Sequence, residues 1–250
     1  MAQFESARQV ERYEFPDYTS IFDARRFAEA VSAIQNQGFA AVGNARLVFI
    51  LAAYLRGMER LLCDFYENPQ FAQVLLDRLT EMSIFKARAC AHAGVDVLFV
   101  YEDVATQRGM LMSPDMWRRW LKPRMRKVIT AAHEIRPELP VLYDSDGDVT
   151  AILDDLLEIG VNALSPMQPE CMDLDAIHQK YSGRLTFWGT IGVQQTMPFG
   201  SPAEVAAAVR RSIQTYGCNG GLVIGPAHVI SPDIPWENIV AFFEAVEKYG

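Results

Sequence analysis

The chain has 250 residues, half of them apolar (50%), which is enough to bury the core of one large domain or two small ones and excludes a disordered or fibrous chain. Charged residues make up 22% and the formal net charge is -8. The field of such a molecule repels phosphate backbones and anionic lipid surfaces, so neither nucleic acid nor a membrane is an expected partner.

In chain order, Tyr13 to Tyr18, with Pro16, reads as an extended lead-in. Phe22 to Gln37 places Phe22, Phe27, Val31 and Ile34 at helical spacing and stops at Gly38, which predicts an amphipathic helix. A short apolar run, Phe39 to Val42, precedes two helical stretches, Leu47 to Leu55 and Met58 to Phe65. A long helix is expected from Asn68 to His92, ended by Gly94. From Val95 onward short β-branched or aromatic runs alternate with long amphipathic segments. The runs are Val95 to Tyr101, Val141 to Tyr143, Val161 to Leu164, Leu185 to Trp188 and Leu222 to Ile224. Helical patterns cover Pro114 to Ile135, Val149 to Ile159, Leu174 to Tyr181, Pro202 to Tyr216 and Trp236 to Tyr249.

Strands apolar on both faces and separated by helices predict parallel βαβ units. No G-x-G-x-x-G or phosphate loop follows the first strand, which favours a (β/α)8 TIM-type barrel over a doubly wound sheet. The six strand candidates, counting Phe39 to Val42, fall two short of closure, so the barrel is expected to be N-terminally shortened or incomplete. Residues 1-250 read as one domain, with 1-94 mostly helical and 95-250 as consecutive βα units. Cys63, Cys90, Cys171 and Cys218 lack CxxC spacing and suit reduced thiols. Without a membrane-spanning run or a signal pattern at the N-terminus, the expected location is the cytoplasm.

Polar groups follow one strand after another: Glu102 and Asp103, Asp144 and Asp146, Gln168, Thr190 and His228. In parallel α/β folds the carboxyl ends of the strands form the rim where substrates sit. Asp144 and Asp146 flank Ser145, and residues two apart at a strand end project to the same side. Such a pair can hold a divalent metal or share a proton, or it can be a turn that caps the helix at Val149, a role that Asp148 fits better. No bidentate Glu closes a twelve-residue frame, which argues against calcium.

His228 lies in a loop stiffened by Pro226, Pro232 and Pro235, where an imidazole can ligate a metal or shuttle protons; the plainer reading is a histidine satisfied by a carbonyl. His92, His133 and His178 fall near helix C-termini, where the helix dipole accounts for them. The cations between Asp115 and Lys127 read as a solvated helix face around Trp117 and Trp120, with a docking patch for an acidic protein as the rival. Met112 reads as pliable packing beside the site and joins Gln168 and Thr190 as a candidate substrate contact. Gly217 to Gly221 makes a weak phosphate cradle, and no Ser/His/Asp or Cys/His nucleophile arrangement can be assembled.

The rim segments, read in order, resemble the uroporphyrinogen decarboxylase superfamily, which also contains methyltransferases that work with corrinoid proteins. The matching features are Glu102-Asp103, Met112-Ser-Pro114, Lys122-Pro123, the Asp144 to Gly147 turn, Ile159 to Gln168, Phe187 to Gln194, Gly220-Gly221, Pro226-Ala-His228 and Pro235 to Asn238. The resemblance covers roughly residues 95 to 250 and implies a (β/α)8 barrel with its site at the strand carboxyl ends, commonly a homodimer. Members of the methyltransferase branch typically carry His-x-Cys-Gly at the turn and a later Cys, which hold zinc. Here those positions read Asp144, Asp146 and His228, a hard donor set that implies weaker zinc binding and tolerance of Mn2+ or Mg2+. The decarboxylase branch grips its tetrapyrrole with an N-terminal arginine-bearing loop and an early aspartate, and this chain is expected to begin too late for either.

Three functions follow as expectations. The first is methyl transfer from a small methyl ether or methylamine to a separate corrinoid protein. In it, Asp144, Asp146 and His228 hold a divalent metal, zinc first and Mn2+ or Mg2+ next, while Glu102 or Asp103 orients or protonates the leaving group. The second is metal-free decarboxylation of a small carboxylated ring, and the third a non-catalytic binding subunit. Self-association, covering strand edges and apolar helix faces near Phe39 to Leu62, is also expected.

Overall fold

The computed structural model describes residues 1–46 and 48–250. Leu47, the first residue of the helix expected over 47–55, lies outside the described residues. The chain folds into two compact units: Met1–Asp103, Met112–Leu142 and Glu158–Gly160 form the first, and Val104–Leu111, Tyr143–Leu157 and Val161–Gly250 the second.

The first unit is mostly helical. It holds α1 (Ala7–Arg12), α2 (Tyr18–Ile21), α3 (Ala24–Gln35), α4 (Val48–Arg56), α5 (Met58–Glu67) and α6 (Pro69–Ala93). The periodicity of the sequence does not reveal α1 and α2, which are only 6 and 4 residues long and too short to show a period. α3 starts at Ala24 rather than Phe22 because the Asp23 carboxylate accepts the Arg26 N–H and caps it. α6 opens on Pro69 and is closed by Gly94 in the left-handed region (φ 79). Its Phe71, Leu75, Leu76 and Leu79 are buried, and it packs against α8, α1 and α4.

In the same unit β1 (Val42–Asn44) pairs in parallel with β2 (Val97–Tyr101), Val42 opposite Val97 and Asn44 opposite Phe99. The single helix expected over Pro114 to Ile135 is two, α7 (Pro114–Trp120) and α8 (Lys122–His133), broken at Leu121. Pro123 has no N–H to return to the preceding turn, so the helix restarts with proline in its first turn.

The second unit contains a hairpin that the sequence pattern does not predict, β3 (Ala105–Thr106) against β4 (Gly109–Met110). β5 (Val141–Asp144) ends in it, followed by a 3-10 turn over Thr150–Ile152, α9 (Leu153–Glu158), β6 (Ala163–Ser165) and α10 (Leu174–Tyr181). β7 (Thr186–Trp188), α11 (Thr196–Phe199), α12 (Pro202–Tyr216), β8 (Leu222–Val223) and α13 (Trp236–Tyr249) complete it. β6 and β7 pair in parallel, Leu164 opposite Phe187, as do β7 and β8, Phe187 opposite Leu222. α12 and α13 close over a core of Ile191, Met197, Val205, Val209, Ile234 and Phe242.

The parallel sheet has the order β1-β2-β5-β6-β7-β8, chain order without a reversal. A doubly wound sheet reverses at its switch point, so this order is that of the (β/α)8 barrel type, represented by six strands among the described residues. Among the described residues no helix is long and apolar enough to cross a membrane. The cysteines Cys63, Cys90, Cys171 and Cys218 are free thiols.

Candidate active site

The chemistry of the second unit collects on the turn after β5. Ser145, Gly147 and Val149 are buried while Asp144, Asp146 and Asp148 are half-buried, the period-two alternation expected at a strand end. The Ser145 N–H donates to the Ser165 carbonyl (2.9 Å), and the Ser145 hydroxyl accepts the Val104 N–H (3.2 Å). Gly147 adopts φ +84, which favours glycine, and its N–H donates to Gln168 Oε1 (2.8 Å). Asp148 makes a local turn, its Oδ1 accepting the Thr150 N–H at 2.9 Å just before the 3-10 turn, whose N-cap residue Val149 carries no side-chain cap.

Asp146 meets two of the other predicted residues. Gln168 Nε2 donates to Asp146 Oδ1 (3.2 Å), and His228 Nε2 stands 3.4 Å from Asp146 Oδ2. Gln168 is buried, and its side-chain oxygen accepts from Gly147, so its amide is oriented from both ends. His228 is positioned by backbone. The Thr190 and Ile191 N–H groups donate to the Gly225 carbonyl (3.0 and 3.1 Å), and the Ala227 N–H donates to the Ile191 carbonyl (2.8 Å). Gly189, at φ +69, permits this because a β-carbon there would lie 2.9 Å from the Pro226 carbonyl oxygen. Thr190 is 4% exposed, and among the described residues its hydroxyl has no hydrogen-bond partner.

Sequence reasoning missed Glu170 and Cys171. Both sit on the turn after Gln168, where the Cys171 N–H donates to the Gln168 carbonyl (3.1 Å) and its thiol lies 3.4 Å from Gln168 Oε1. Glu170 Oε1 accepts the Gln194 N–H (3.1 Å), in space left by Gly192, where a β-carbon would fall 2.1 Å from that oxygen. Burial, and then the charges of Glu170, Asp146 and Asp148, push the Cys171 thiol up, so it stays protonated at neutral pH. The available signal was the spacing of three residues from Gln168 on a Pro-containing turn.

The remaining predicted residues lie in the first unit. Glu102, expected on the rim, instead caps a helix. It is 1% exposed, and its two carboxylate oxygens accept the N–H groups of Phe49 and Ile50 (both 3.0 Å) in the first turn of α4. Burial pushes its carboxyl up to about 8, against the pull of these N–H groups toward the anion. Asp103 Oδ2 accepts the Tyr101 hydroxyl, and Met112 is buried.

The donor set read for a metal was Asp144, Asp146 and His228. Asp146 and His228 are neighbours, but among the described residues no three His, Cys, Asp or Glu side chains are gathered into a ligand set. The residues present do not fit a three-donor cage as they stand. What they do form is a carboxylate–imidazole pair, in which the carboxylate holds the ring in place.

The uroporphyrinogen decarboxylase (URO-D) family model matches residues 2–249. The chain belongs to the uroporphyrinogen decarboxylase family. This URO-D chain is 25% identical over 186 residues to a uroporphyrinogen decarboxylase of Pseudomonas aeruginosa (strain LESB58), covering 73% of this chain and 50% of the relative. It is 30% identical over 175 residues to the methylcobamide:CoM methyltransferase MtaA of Methanosarcina barkeri, covering 70% and 48%. A solved methyltransferase from Methanosarcina mazei shares the fold, with a TM-score of 0.71 at 23% identity over 89% of this chain and 64% of that one. The chain spans about half the length of the curated relatives it matches.

Proposed function

We propose that this URO-D family protein is an enzyme that moves a methyl group from a small methyl ether or methylamine to a corrinoid protein. The observation that carries the reading is the Asp146–His228 pair, 3.4 Å apart, with Gln168 holding the carboxylate from the other side. A methyl group leaves oxygen or nitrogen readily only when the heteroatom gains a proton as the carbon–heteroatom bond breaks. His228 donates that proton, the heteroatom departs with the bonding pair as an alcohol or amine, and Asp146 orients the imidazole toward it. A corrinoid on the partner protein supplies the nucleophile that takes the methyl group. The 30% identity to the methylcobamide:CoM methyltransferase of Methanosarcina barkeri supports methyl transfer with a corrinoid partner; that enzyme is named for taking the methyl group from the corrinoid, whereas the transfer proposed here runs toward it.

The second reading is decarboxylation, favoured by the decarboxylases among the relatives at 23–25% identity. The same pair then delivers its proton to the carbon that has lost CO2. Incubating the protein with free cob(I)alamin and either an aryl methyl ether or trimethylamine separates the two. Spectroscopic appearance of methylcobalamin, lost on His228→Gln, is the expected result. No methyl transfer from either donor, with His228-dependent CO2 release from carboxylated rings, overturns methyl transfer in favour of decarboxylation.

We also propose that the protein acts as a homodimer. Phe39, Tyr54 and Tyr66 in the first unit are 67%, 69% and 75% exposed, apolar surface that a second copy would cover. Sedimentation as a monomer at micromolar concentration overturns this.

A further inference from the structure

Within the first unit, a cavity of about 340 Å³ opens between α2, the start of α3 and the long helix α6. Its body is apolar, built on Phe22, whose ring stands edge-on to Phe27 (5.7 Å) and to Phe85 (5.4 Å). Ile21 and Ala89 complete that part of the wall. Its other side is polar, with Asn44 at the carboxyl end of β1 and Lys86 on α6.

The charge balance there is one-sided. The Lys86 ammonium is half-buried, and its electrostatic neighbours are the Arg46 guanidinium and the protonated Cys90 thiol. Arg46 is brought alongside α6 by its carbonyl, which accepts the Ser83 hydroxyl at 2.7 Å. Lys86 rests 5.6 Å from the Tyr18 ring and Arg46 5.4 Å from the Tyr101 ring. Among the described residues, neither cation has a carboxylate within ion-pair distance. Two like charges drawn together beside an apolar cavity, without a counter-charge, repel each other and lose hydration, and a ligand anion would relieve both costs.

From this juxtaposition we infer that the cavity is a binding site for a small amphiphilic anion, an aryl or alkyl carboxylate or sulfonate. Its charged head is held by Lys86 and Asn44, with the Arg46 charge adding to the local positive field, and its apolar body lies among Phe22, Phe27 and Phe85. The volume falls within the range of small-molecule pockets. A second apolar cavity of about 540 Å³ shares Phe22, Phe85 and Ala89 with it and gives room for a longer tail.

The test uses two fluorescent probes on the full chain, the anionic 1-anilinonaphthalene-8-sulfonate and the neutral N-phenyl-1-naphthylamine. Expected is saturable binding of one sulfonate probe per chain. Lys86→Gln should weaken that binding about ten-fold and leave the neutral probe within about two-fold, since only the head contact is lost. Ala89→Phe, which fills the cavity, should weaken both. Equal sulfonate affinity in wild type and Lys86→Gln, or no saturable one-to-one binding, overturns the site. Because Ala89→Phe can fail to fold, the Lys86→Gln comparison, with its circular dichroism melt matched to wild type, decides alone if it does.

Discussion

The backbone carbonyl oxygen of Thr106, in the β3–β4 hairpin, lies 2.5 Å from where a β-carbon on Gly147 would stand. The same carbonyl accepts the Asp148 N–H at 2.9 Å, so hairpin and aspartate turn are locked backbone to backbone. Gly147→Ala must push them apart and also place a side chain at φ +84. The expected outcome is a loss of roughly 2–4 kcal/mol in urea denaturation together with a large loss of turnover, because Asp146 is the adjoining residue. An Ala variant as stable and active as wild type would show that the turn does not depend on the hairpin.

Asp146 and His228 are both partly exposed, and a contact this open to solvent adds little to folding. Asp146→Asn and His228→Gln should therefore leave the melting temperature within a few degrees of wild type. Turnover should fall by roughly 100- to 10,000-fold in the histidine variant, in kcat more than in KM. A variant that unfolds, while its folded fraction keeps full activity, would reassign the pair to a structural turn.

Glu102 makes stability depend on pH in a predictable direction. The folded protein holds the Glu102 proton up to about 8, whereas the ordinary value is 4.5. Between these values unfolding releases a proton, so stability is greatest at the acid end, falls as pH rises, and levels off above about 8. Urea titrations at pH 5, 7 and 9 should show a slope in wild type that Glu102→Gln removes, a difference of roughly 3–5 kcal/mol across the window. Turnover of this variant should change by less than about ten-fold, as befits a helix cap. Identical slopes in both proteins would contradict it.

The buried ion pair of the first unit ties down the start of the chain. Arg56 Nε and Nη2 donate to the Asp64 carboxylate (2.6 and 3.3 Å), while Nη1 donates to the carbonyls of Met1, Ala2 and Phe4. Asp64→Ala leaves a buried guanidinium without its anion and should cost roughly 3–5 kcal/mol. Hydrogen exchange should quicken first in residues 1–13, which keep Arg78 on the carbonyls of Val10, Glu11 and Tyr13 and the packing of α1 on α6. Exchange that quickens uniformly would argue against a local clamp.

Read alone, the amino-acid order determined the alternation of strand and helix, the bounds of α10, α12 and α13, and the clustering of polar residues after strands. These follow from periodicity and from turn residues, which are local properties. It also placed Asp146, Gln168 and His228 among the candidates, and it gave Asp148 to the turn, where its carboxylate accepts the Thr150 N–H. What it left undecided was which candidates touch. Glu102 and Gln168 look alike in sequence, each a polar residue just past a strand. One turns back to cap α4 because unpaired N–H groups there need an acceptor, and the other reaches Asp146 because Gly147 supplies an N–H to hold its amide. The partners lie between 21 and 82 residues apart in these pairings, from Gly147–Gln168 to Asp146–His228. The break at Leu121 and the β3–β4 hairpin were local but too short for a periodic signal to reveal. Only tertiary structure, by bringing distant backbone groups into hydrogen-bonding range, decided which polar side chains are spent on the fold and which remain for chemistry.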